Sequence, residues 1–116
     1  MTDKNVRRNA ATNAVRTVTP DRAFYFYREM GQPLGTASRC LDELATIVEG
    51  VDSSSIGFHV KRGDFESWFK MLGDKSLAGQ VAELRDKDIP PDELRGMLSS
   101  IVRTRLDRLH KIASSK

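Results

Sequence analysis

The sequence predicts an all-α protein: a single-domain bundle of five or six helices with a long C-terminal helix and a flexible N-terminal arm. Three observations predict it. Apolar residues recur at three- and four-residue spacing over most of the chain. Gly or Pro next to Asp, Thr or Ser interrupts that pattern at intervals of one helix length. The 116 residues, 39% hydrophobic and 30% charged, suit one buried core and are too few for two. The expected organisation is a basic arm over 1–18, one helical domain over 19–113 and a short tail over 114–116.

Residues 1–18 hold Asn, Thr, Arg and Ala, with Val6, Val15 and Val18 the sizeable apolar side chains after Met1. They offer little to bury, so the segment reads as a mobile arm, transiently helical from Arg8 to Arg16. Thr19-Pro20-Asp21 then combines a capping hydroxyl, a proline suited to the first helical position and an acid near the positive end of a helix dipole. A helix from there to Met30, stopped by Gly31, is the expectation. Phe24-Tyr25-Phe26-Tyr27 competes with it, because four consecutive aromatics are also strand composition.

Beyond Gln32-Pro33-Leu34-Gly35, Thr36 can cap a helix whose apolar positions are Ala37, Cys40, Leu41, Leu44, Ile47 and Val48, with Gly50 ending it. The run Ser55-Ile56-Gly57-Phe58-His59-Val60 alternates like a strand but is bounded like a short helix, and periodicity leaves both open. Asp64 stands at an N-cap position before Phe65, Trp68, Phe69 and Leu72. Gly73-Asp74 repeats the stop and cap before Leu77, Val81 and Leu84. Ile89-Pro90-Pro91-Asp92-Glu93 opens a final helix reaching about Ile112. Projected at about 100° per residue, that helix gathers Leu94, Met97, Leu98, Ile101, Val102, Leu106, Leu109 and Ile112 on one broad side. Arg105 projects into the middle of the same stripe, so a carboxylate partner is expected, with Asp64 and Asp42 the leading candidates. Phe58, Phe65, Trp68, Leu72, Leu77 and Leu98 are the expected core.

Charge is segregated. Residues 1–22 carry five basic and two acidic side chains, residues 95–116 six and one, and the segment between them eight and thirteen, for a net charge of +3. Basic ends around an acidic middle either complement one another within the fold or attract a polyanion. The first reading is preferred, because separated charges make no patch until a fold gathers them.

Catalytic equipment is sparse. There is no phosphate loop, GxGxxG, HExxH or GxSxG pattern. His59 and His110 lie far apart and neither is spaced with acids as metal ligands are. Cys40, alone in the chain, excludes an internal disulfide and reads as a small buried hydrophobe. No enzymatic activity, cofactor or metal is expected. With no apolar run of about 20 residues and no secretory apolar core at the start, a cytoplasmic protein with no membrane association is expected. The densest segment is 58–69, where His59, Arg62 and Asp64, with Arg105, form the candidate polar cluster. Its Arg62-Gly63-Asp64 triplet matches the integrin-ligand tripeptide, but one helix stop followed by one cap explains it.

Those residues carry a resemblance. Ala23-Phe24-Tyr25-Phe26-Tyr27, Pro33-Leu34-Gly35-Thr36-Ala37, Leu41-Asp42-Glu43-Leu44 and Ser55-Ile56-Gly57-Phe58-His59, followed by Arg62-Gly63-Asp64-Phe65-Glu66-Ser67-Trp68 and Leu72-Gly73-Asp74-Lys75-Ser76-Leu77-Ala78, resemble a family of small uncharacterised domains found chiefly in archaea and some bacteria. The similarity spans about residues 22–106. It implies a small helical fold and an archaeal-type cytoplasm, and no reaction.

The expected function is a non-enzymatic interaction module that binds another protein or itself, with Tyr25, Tyr27 and Phe69 as candidate exposed aromatics. The alternative is a sequence-independent nucleic-acid-binding protein contacting phosphates through Arg7, Arg8, Arg16, Arg103, Arg108 and Lys111.

Overall fold

The computed structural model describes residues 2–114; Met1 and the last two residues of the expected tail lie outside it. The chain order is α1 (Thr2–Ala14), β1 (Phe24–Glu29), β2 (Gln32–Ser38), α2 (Leu41–Val48), α3 (Ser53–Arg62), α4 (Asp64–Met71), α5 (Lys75–Arg85) and α6 (Pro91–Ala113). The protein is mostly helical with a long last helix, as expected, but a two-stranded antiparallel sheet corrects the all-α assignment.

The sheet replaces the helix expected over 19–30. Pro20–Arg22 forms only one 3₁₀ turn and Ala23 is already extended. Phe24 and Phe26 are buried while Tyr25 is half exposed, an alternation a strand satisfies and a helix cannot. Gly31, at φ 76°, makes the hairpin turn, and β2 pairs Ser38 with Phe24 and Ala37 with Tyr25 before the register slips. Thr36 therefore lies in a strand, and the helix expected to start there begins at Leu41. Cys40 sits at its N-cap rather than on its apolar stripe.

The second correction concerns the arm. Residues 2–14 form α1, with Ala11 and Ala14 buried against the core, and Val18 is buried beyond it. The side chains that looked too small to bury are small enough to let α1 approach α6 closely, and alanine adds helix propensity. The ambiguous stretch 55–60 is helical, within α3. It starts at Asp52, whose carboxylate accepts the Ser54 N–H, and ends at Gly63 in the left-handed conformation.

Helix α6 backs the molecule, touching α1, α2, α3 and α5. Leu94, Leu98, Val102, Leu106 and Leu109 are its buried face. Around it lie Leu41, Leu44, Ile56, Phe65, Phe69, Leu72 and Leu77, all essentially inaccessible. Phe69 is thus core and not an exposed aromatic. Phe58 departs in the other direction, only half buried beside a groove. Among the described residues, no helix is long and apolar enough to cross a membrane.

Candidate functional site

A groove of about 720 Å³ opens where the turn before β1, β1 itself, and helices α3 and α4 meet. Tyr25, Tyr27, Met30, Phe58, Trp68 and Met71 supply its apolar walls. Arg22, Arg62, Asp21 and Asp64 stand among them. Its floor continues into an aromatic cluster: Phe24 stacks on Phe65 with centroids 4.7 Å apart and meets Phe26 and Trp68 edge-on. At its mouth Met30 is 71% exposed and Tyr25 50%.

His59 fixes β1 to this framework. Its ring is buried, surrounded by Phe24, Phe26, Phe58 and Phe65. Nε2 lies 2.9 Å from the backbone nitrogen of Tyr27, which can only donate. Nε2 is therefore the lone-pair nitrogen, and Nδ1 carries the proton donated to Asp64 Oδ2 at 2.8 Å. Burial pushes the imidazole pKa below its ordinary value, outweighing the opposing hydrogen bond and charge of Asp64. The ring is held neutral, and neither nitrogen is free to take a proton from a bound molecule.

Asp64, expected as an N-cap, is the first residue of α4, and its carboxylate turns back to His59 and Arg62. Gly63 holds the cap position, so its left-handed turn aims Asp64 at the helix just ended. Arg62 donates Nε–H to Asp64 at 3.0 Å, lies 5.1 Å over the Phe58 ring and approaches the Met30 sulfur. The expected cluster of His59, Arg62 and Asp64 is assembled. Arg105 is not part of it: it pairs with Asp74, which replaces both expected partners, and Asp42 instead meets His110.

Three backbone groups beside the groove are occupied from within. The Tyr27 N–H goes to His59, the Arg22 carbonyl accepts the Trp68 indole N–H at 2.8 Å, and the Pro20 carbonyl accepts the Tyr25 hydroxyl. Met30 and Met71 carry no signal of the groove in the sequence, because the groove exists only where the hairpin meets α3 and α4, and the periodicity of a single helix holds no sign of that meeting.

The six candidate phosphate contacts scatter. Arg16 donates to the Leu72 and Met71 carbonyls at the end of α4, Arg103 pairs with Glu49, and Lys111 pairs with Asp107. Arg8 reaches Asn5 on its own helix. Arg7 and Arg108 line a separate cleft between α1 and α6. Among the described residues no three His, Cys, Asp or Glu side chains gather as metal ligands. No protein-family model matches the chain, and no curated protein or solved structure matches it either.

Proposed function

We propose that this chain is a non-enzymatic interaction module whose groove binds a partner protein through apolar side chains presented on a helix. The observation that carries this is the occupation of the groove's backbone groups by His59, Trp68 and Tyr25. A strand added along β1 needs the Tyr27 N–H free, and the Arg22 and Pro20 carbonyls in the turn before β1 are already bonded to side chains of the chain itself. What the groove offers instead is aromatic and thioether surface, flexible at Met30 and Met71, which fits anchors spaced three or four residues apart. The closed hydrogen bonding of His59 further supports a binding role over a catalytic one.

Selection from a displayed library of random peptides about twelve residues long tests this. Enriched peptides carry apolar residues at i and i+3 or i+4, alter Trp68 fluorescence, and bind at least about tenfold more weakly to Met30→Asp and Ser67→Arg, both exposed positions at the groove. Failure to enrich, alternating strand-like peptides, or equal binding by both variants overturns the proposal. So does a dimer of the chain that the same substitutions dissociate, since the occupant would then be a second copy.

A further inference from the structure

The fold brings the two basic ends of the chain together. Helix α1 lies against the C-terminal half of α6, and between them a cleft of about 290 Å³ opens over Gly73 and Asp74. Ala10, Ala11 and Ala14 are too short to fill it. Arg7, Arg105 and Arg108 line it, and Asp74 is its single lining carboxylate. Both Asp74 oxygens are taken by Arg105, Nε to Oδ2 at 2.8 Å and Nη2 to Oδ1 at 3.1 Å. The cleft lining thus offers no further carboxylate to Arg7 or Arg108, which stand one on each helix.

We infer that this cleft binds phosphate groups of a nucleic-acid backbone, with Arg7 and Arg108 as contacts and Arg105, fixed by Asp74, holding the floor. Guanidinium groups match phosphate oxygens in geometry as well as charge. Two of them lining one alanine-walled cleft make a seat for a phosphate that the same residues spread along an extended arm would not. Contacts confined to phosphate oxygens carry no sequence information, so binding through this cleft is independent of sequence. The site shares no residue with the groove, and its test stands apart from the peptide selection.

Fluorescence anisotropy with a labelled DNA duplex of about 20 base pairs, measured over a series of salt concentrations, is the experiment. The wild-type chain binds unrelated duplexes alike. Arg7→Gln with Arg108→Gln weakens binding at least about tenfold at low salt and lowers the slope of log K against log salt by about two. Lys61→Gln with Lys87→Gln, exposed and outside the cleft, leaves both unchanged. No binding at low salt, or an Arg7/Arg108 variant that binds as wild type, overturns the inference. Inorganic phosphate bound in the absence of any duplex binding also overturns it, by identifying a free anion as the ligand.

Discussion

Arg105 and Asp74 are joined by two hydrogen bonds between the middle of α6 and the N-terminus of α5, with the Asp74 side chain 2% exposed and that of Arg105 21%. Asp74 serves twice, since the oxygen that accepts Arg105 Nη2–H also caps α5 through the Leu77 N–H. Truncating the arginine leaves a buried carboxylate with one backbone donor. Arg105→Ala should therefore cost about 3 kcal/mol or more, and Arg105→Lys, which restores a charge without the planar fork, should recover only part of it. Urea unfolding measures both, and an Arg105→Ala variant as stable as wild type contradicts the pairing.

Trp68 is 7% exposed and binds the Arg22 carbonyl while closing the aromatic cluster. Trp68→Ala is expected to lose about 3 to 5 kcal/mol. Trp68→Phe keeps most of the packing and orphans the carbonyl, so its cost should be near 1 to 3 kcal/mol. Equal losses for the two substitutions would show that the indole N–H, and not the ring, carries the contribution.

His59 makes stability depend on pH. Burial lowers its folded-state pKa, so the unfolded chain takes up the proton first as pH falls. The contribution is complete above the ordinary imidazole value near 6.5, declines as pH drops through it, and levels off once the folded ring protonates. The groups facing His59 are Asp64 on α4 and Arg62 on its own helix. Urea midpoints should fall between about pH 7 and pH 5, above the range where ordinary carboxylates titrate. A midpoint that stays level or rises over that interval contradicts the assignment.

Gly63 ends α3 and starts α4 at φ 76°. A Cβ there would lie 3.2 Å from Arg85 Nη1, the far end of a side chain able to move, so the backbone conformation sets the cost. Gly63→Ala should destabilise by about 1 to 2 kcal/mol. Unchanged thermal stability would mean that the turn relaxes.

Helices α4 to α6 were legible because each couples apolar spacing to a stop or cap that acts locally, as at Gly63, Asp74 and Pro91, whereas the short run 55–60 in α3 fits a strand as well as a helix. Asp74 capped α5 as read, accepting the Leu77 N–H. β1 was not legible because Thr19-Pro20-Asp21 is a sound helix start in isolation; burial of Phe24 and Phe26 on one face overrode it. α1 was missed because Ala11 and Ala14 carry almost no hydrophobic signal, although they are buried. His59, Arg62 and Asp64 were grouped correctly because one glycine turn separates them. The Tyr27 N–H that completes the cluster comes from 32 residues away and needs the hairpin to exist.

His59 is a clamp that builds the groove wall, with both ring nitrogens committed to the fold. Long-range proton–nitrogen NMR of the His59 ring near neutral pH tests it most directly. The structure predicts a neutral imidazole with the proton on Nδ1 and an Nε2 acceptor, together with a Tyr27 amide strongly protected from exchange. A ring protonated on Nε2, or an imidazolium at that pH, would contradict it.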